Sequence, residues 1–198
     1  MKRLAKMFAL GIALMTPNLA LASTWTIDQD HSSVGFSVRH LMVSNVKGSF
    51  SRFSGTMALG DNDITASKVS ASIDVSSINT NVQKRDDHLR SPDFFDAAKY
   101  PGITFVSKQW MRTPDGKLKV AGDLTMHGKT QEVLLDVAPF SNEIRDAWGK
   151  TRRATTATAR INRQDFGITW NKALDAGGVT IGNEVDITLD IELIKTGQ

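Results

Sequence analysis

Val185-Asp186-Ile187-Thr188-Leu189-Asp190-Ile191-Glu192-Leu193 is the stretch on which the fold turns. Its apolar residues stand at every second position, with charged residues and a threonine in the gaps. Successive side chains of a strand point to opposite faces, so this is a strand with one buried and one wet side. The same period of two recurs upstream. Leu118, Val120, Gly122, Leu124 and Met126 alternate with Lys117, Lys119, Ala121, Asp123 and Thr125. Val69, Ala71, Ile73 and Val75 alternate with Ser70, Ser72 and Asp74, and Val34, Phe36 and Val38 with Gly35, Ser37 and Arg39. Further strands are expected at 46–59, 102–111, 130–140 and 150–161, with Trp25-Thr26-Ile27 as a short addition. Within 46–59 the spacing from Phe50 to Phe53 breaks the alternation and marks a bulge or bend.

Pro114-Asp115-Gly116 and His127-Gly128-Lys129 carry turn chemistry between neighbouring strands. The last five strands are therefore expected as consecutive antiparallel neighbours. About eight one-sided strands without a long helix must close on themselves or stack as two sheets. Residues 76–101 interrupt the pattern. Asn81 is placed to cap a short helix from Val82 to Leu89, and Ser91-Pro92 to open a second turn. This segment reads as a helical flap with Leu89, Phe94 and Phe95 turned inward.

The chain has 198 residues and a formal charge of +3, with 24 Lys plus Arg against 21 Asp plus Glu. Lys2, Arg3 and Lys6 account for that excess, and the first acid is Asp28. They precede the apolar run Met7–Met15 and the small-x-small pattern Leu19-Ala20-Leu21-Ala22, the layout of a cleaved export signal. The expected cut follows Ala22, leaving a single formally neutral domain over 23–198 and a periplasmic location. The run is too short for a bilayer core of about 30 Å, and no later segment is long and apolar enough for a helical membrane span. There is no cysteine. That excludes disulfides, thiolate metal sites and a cysteine nucleophile.

Thr155, Ala157 and Ala159 face inward on 150–161, as do Ala71 and Gly122 on their strands, and all are small. An eight-stranded barrel can be solid or hold one small ligand. Either neighbouring aromatics fill the space, or an apolar cavity remains and takes an apolar ligand. The four histidines, His31, His40, His88 and His127, show no helical ligand spacing, so neither a metal nor any other cofactor is expected. His127 is expected to be exposed in its turn. No nucleophile elbow, zincin motif, phosphate loop or dinucleotide fingerprint is present. A neutral chain without a basic aromatic stripe gives no support for nucleic-acid binding.

Several ordered blocks resemble the YceI family of bacterial lipocalin-like proteins, associated with isoprenoids and related long-chain lipids. They are Trp25 through His31 and Phe36 to Arg39-His40, then Val46-Lys47-Gly48-Ser49-Phe50, Arg85-Asp86-Asp87-His88-Leu89 on to Phe94-Phe95-Asp96, and Tyr100 to Phe105. Gly122 to Thr130, Asn162-Arg163-Gln164-Asp165-Phe166-Gly167 and Gly182 to Val185 follow. The resemblance implies an all-β fold, an extended eight-stranded antiparallel up-and-down barrel with a short helical insertion near 80–99. It also implies an elongated apolar channel and a tendency to homodimers, and no established reaction. The lining is then expected to draw on Phe36, Val38, Phe50, Ile73, Phe94, Phe95, Ile103, Phe105, Leu124, Phe166 and Trp170. The family's recurrent polar residues fall on His31, Arg39, His40, Arg85, Asp86 and His88, at a pocket mouth or holding the flap.

The expected function is a periplasmic binding or carrier protein, without catalytic residues, for a long-chain lipid. The cargo would be a polyisoprenoid, an isoprenoid quinone tail or a fatty-acyl amide, in transport, storage or stress response. Two other readings compete. One is an enzyme acting on a barrel-bound lipid through His31 or His88 with Asp86. The other is an outer-membrane eight-stranded barrel, which requires an apolar outer band.

Overall fold

A computed structural model describes residues 22–175 and 177–197. Apart from Ala22, the expected export segment lies outside the described residues. In chain order the strands are β1 (Ala22–Ile27), β2 (Ser33–His40), β3 (Ser44–Phe50), β4 (Phe53–Gly60), β5 (Lys68–Asp74) and β6 (Ile78–Asn79). The helix α1 (Gln83–Arg90) precedes β7 (Gly102–Arg112), β8 (Leu118–Met126), β9 (Lys129–Val137), β10 (Ile144–Arg145), β11 (Thr151–Asn162) and β12 (Ile181–Gly197).

β1 and β2 form one line interrupted by a 3-10 turn at Gln29–His31, and β3 and β4 another interrupted at Ser51-Arg52. Counted that way, eight strands close a ring. β12 pairs with β11 along most of its length, with β2 through its first half and with β1 through its second. The remaining neighbours, β1–β4, β2–β3, β4–β5, β5–β7, β7–β8, β8–β9 and β9–β11, are also antiparallel. This is the closed up-and-down barrel that the resemblance implies, and one of the two arrangements that the alternation allows. Closure removes the unpaired edge that an open sheet would expose.

The break between Phe50 and Phe53 is a bend that turns both rings inward, and both are buried. Trp25 is not in a short appendage: β1 runs six residues between β4 and β12, and Trp25 is fully buried. β7 holds a second irregularity that the spacing did not flag. Its register against β8 shifts between Ser107 and Gln109. Residues 103 and 105 face inward before the bulge and Trp110 after it, because one extra residue exchanges the faces. Asn81 does not cap α1. The N-cap is Val82, with no side-chain cap bond, and Asn81 adopts a left-handed backbone (φ 61°) with its N–H donated to Asn79 Oδ1.

At Gly122 the first of the two alternatives holds, and an aromatic fills the space. A Cβ there would lie 2.5 Å from Phe105 Cζ and 2.6 Å from the Val106 carbonyl oxygen, so the Phe105 ring already occupies the gap. Gly122→Ala must displace backbone as well as a ring. It is expected to cost about 1–3 kcal/mol, read as a lowered urea midpoint at unchanged m-value. A variant as stable as the parent would contradict this packing.

Two clusters make the core. Trp25, Leu59, Trp110, Leu118, Val120 and Leu193 fill one end. Phe50, Phe53, Ile78, Phe94, Ile161 and Phe166 pack beneath the flap at the other.

Candidate functional site

Between the two clusters runs a cavity of about 410 Å³ with an almost wholly apolar wall. That volume falls in the range of small-molecule sites, roughly 300–1,000 Å³. Along β12 the wall extends from Ile181 to Ile191. Ten residues at about 3.3 Å each give ~33 Å of strand. At a tilt of about 40° this is ~25 Å along the barrel axis. The cavity is a channel, long and narrow.

Ten of the eleven expected lining residues face it; Phe166 instead packs in the core beneath the flap. Thr155, Ala157 and Ala71 also contribute wall, so these small inward side chains do leave volume. Trp110 and Phe140, stacked with centroids 6.3 Å apart, line the deep end. Trp110 escaped notice because the β7 bulge reverses its parity. The only sequence signal is the odd spacing from Phe105 to Trp110. At this closed end the Arg153 guanidinium lies 4.7 Å from the Phe140 ring and 5.6 Å from that of Trp25, and such cation–π contacts hold a charge over carbon.

The other end is polar. Arg39, His40, Arg85 and His88 reach the wall there, as does Arg163, which sequence reasoning had not singled out. Among the described residues the wall carries no carboxylate. Arg163 is buried and donates to the Gly182 and Ile168 carbonyls at 2.9 and 2.7 Å. Burial lowers its pKa. Arg85 donates from Nε to Thr80 Oγ1 at 2.7 Å, and the same hydroxyl donates to Asp86 Oδ1. Asp86 is buried and also accepts the Thr80 N–H at 2.8 Å. Asp86 therefore fastens the start of the flap and does not face the channel. His88 pairs with Asp93 at 2.8 Å, its ring edge-on to Phe94 and Trp170. His127 is not simply exposed: its Nδ1 lies 3.1 Å from the Phe166 carbonyl oxygen and its ring packs on Tyr100.

His31 stands apart from all of these, on the outer face. It bonds Asp28 at 2.9 Å, beside Glu192. These three groups lie close enough to share a cation, but Arg152 Nη1 already bonds both carboxylates, so a guanidinium fills that place.

The YceI-like domain profile matches residues 25–193. A UPF0312 protein of Vibrio vulnificus (strain YJ016) is 42% identical over 164 residues, covering 81% of this chain and 86% of its own. The crystal structure of a Campylobacter jejuni YCEI protein is similar with a TM-score of 0.66 at 25% identity, covering 97% of this chain and 99% of that one. A polyisoprenoid binding domain from Saccharophagus degradans, implicated in plant cell wall breakdown, shares the fold. Its TM-score is 0.61 at 17% identity, with 87% of this chain and 98% of that one covered.

Proposed function

The chain belongs to the YceI-like domain family, and from that premise we propose that it binds and carries a long-chain apolar lipid in its barrel channel. The observation that carries this reading is the apolar channel itself, about 410 Å³ and running along β12 from Ile181 to Ile191. Each methylene moved from water into such a wall contributes about 0.8 kcal/mol, so a long chain gains enough to outweigh the cost of ordering it. The polyisoprenoid binding domain of the same fold favours an isoprenoid chain, with quinone tails and fatty-acyl amides as the other candidates. We further propose that residues 1–22 direct export to the periplasm and are removed there.

Organic-solvent extraction of purified protein followed by mass spectrometry is expected to recover one long-chain lipid per barrel. Protein that yields none, and takes up none when offered, would end the proposal.

The enzyme reading has less to stand on. Asp86 is held by Thr80, His31 by Asp28 and His88 by Asp93, so neither expected His–Asp pair is assembled. An outer-membrane barrel is disfavoured by its outer face. Lys108 sits there between Asp123 and Glu132, and Arg160 pairs with Asp186, where lipid would require an apolar band.

A further inference from the structure

The turn between β2 and β3 is apolar and solvent-facing. Val43 N–H donates to the His40 carbonyl at 3.1 Å, closing a tight turn whose two central residues, Leu41 and Met42, have φ of 48° and 61°. Two consecutive left-handed residues define the hairpin turn in which Asn-Gly is favoured. A side chain with a Cβ costs roughly 1–2 kcal/mol in that conformation. The protein closes its two-residue β8–β9 hairpin with His127-Gly128, also at positive φ, while here Val43 is a third loop residue before the His40–Ser44 pair, so the left-handed φ does not by itself call for Leu-Met. Leu41, Met42 and Val43 are 39%, 51% and 75% exposed. Neither burial nor turn chemistry explains them.

Their position does. His40, the residue before the tip, lines the polar end of the channel, as do Thr180 and Ile181. Leu41 N–H donates to the Thr180 carbonyl at 2.8 Å, and Met42 Cγ lies against Gly178 of the same neighbouring loop. The apolar tip is thus the lip of the mouth. Behind it stand the exposed Arg39 and the half-buried Arg85, with no carboxylate in the wall. Arg39 Nη2 holds the Met42 carbonyl at 2.9 Å. Apolar side chains projecting ahead of cationic ones match a bilayer, where the former enter the acyl boundary and the latter meet phosphates.

We propose that Leu41-Met42-Val43 is a bilayer-docking tip that seats the channel mouth on a lipid surface, so that cargo passes without crossing water. The proposal rests on the lipid-carrier reading for its purpose, but not for its test. Leu41→Asn with Met42→Gly keeps the turn, in the sequence the turn prefers, and removes the apolar contact. Neither residue lines the channel, so the fold and the channel stay intact.

The experiment compares flotation with vesicles of phosphatidylethanolamine and phosphatidylglycerol, and transfer of fluorescently labelled palmitate from those vesicles. Equilibrium uptake of the same probe diluted from ethanol is measured in parallel. The double variant is expected to bind vesicles and to draw probe from them about tenfold less well, two apolar anchors having been lost. Its uptake from ethanol should be unchanged. Equal flotation of the two proteins, or no flotation of the parent, overturns the proposal. So does light scattering in which the substitution turns a dimer into a monomer while vesicle binding is untouched, since a second copy would then be what covers the tip. If neither protein takes up probe by either route but flotation still depends on the tip, docking stands and the carrier reading falls.

Discussion

Ala157→Phe is expected to leave the barrel folded and to cut its affinity for a long-chain lipid about a hundredfold. Ala157 lies on β11 opposite Leu189 and Val137, buried and facing the channel. A phenyl ring there is expected to occupy channel. It would displace three or four methylenes of a bound chain, worth about 0.8 kcal/mol each. Near 3 kcal/mol corresponds to roughly a hundredfold in Kd. The two measurements are the lipid recovered by extraction and the melting temperature. A solid interior gives the opposite pair of results: lipid content unaffected, and a melting point lowered by the ~1–3 kcal/mol of overpacking. That outcome would mean that the barrel interior is solid. The comparison with Gly122 is instructive. Both are small inward residues, yet the space at Gly122 is filled by Phe105 while that at Ala157 opens on the cavity.

Arg152→Ala is expected to be the most destabilising single change on the outer face. Its Nη1 bonds Asp28 beyond the end of β1 and Glu192 on β12, and its Nε bonds Asp146 beyond β10 at 2.6 Å. The Arg152 side chain is 13% exposed, and those of Asp28 and Asp146 are 10%. This one guanidinium ties together the strands that flank the closing seam of the ring. Removing it leaves three clustered carboxylates without the cation they share, so their mutual repulsion is no longer offset. The expected result is a clearly lowered Tm. Arg160→Ala is the control. Arg160 and Asp186 form an exposed pair, whose loss should barely move Tm. Equal melting points for the two variants would show the Arg152 network to be incidental.

The same network gives stability a pH dependence with a definite sign. Burial tends to raise the Asp28 pKa, but hydrogen bonds from Arg152, His31 and the Asp30 amide together outweigh it and hold the carboxyl at about 2. The folded value lies below the unfolded 3.8. The contribution is therefore complete above the unfolded value and is lost as pH falls through about 2. His31 runs the other way, its pKa raised by the bond to Asp28. Its contribution is complete below 6.5 and is lost as pH rises through the folded value. Urea unfolding across the acid range should weaken in the parent, and Asp28→Asn should flatten that limb. An unchanged limb would place the acid sensitivity elsewhere.

Much of this molecule was legible from the residues. Strict alternation at 185–193 and 118–126 puts apolar side chains on one face wherever those strands go, because the side-chain period of a strand is fixed by its backbone. That set the all-β class. It also oriented the inner face correctly at Leu124 and Ala157, the resemblance added Ile103 and Phe105, and the Phe50–Phe53 parity break announced its bend. The family blocks supplied closure of the ring, which alternation had left open against stacked sheets.

Other features required the assembled barrel. Trp110 turned inward only because β7 slips by a residue against β8, a fact of pairing rather than of local sequence. Whether a small inward residue makes space was decided by its neighbours across the sheet. Asp86 and His31 are both polar family positions, yet one is drawn beneath the flap by Thr80 and the other faces solvent beside Arg152. The sequence determined which side of each strand is apolar, since that depends on a local repeat. Only the tertiary structure determined where volume, charge and exposure fall, since these depend on contacts between residues far apart in the chain.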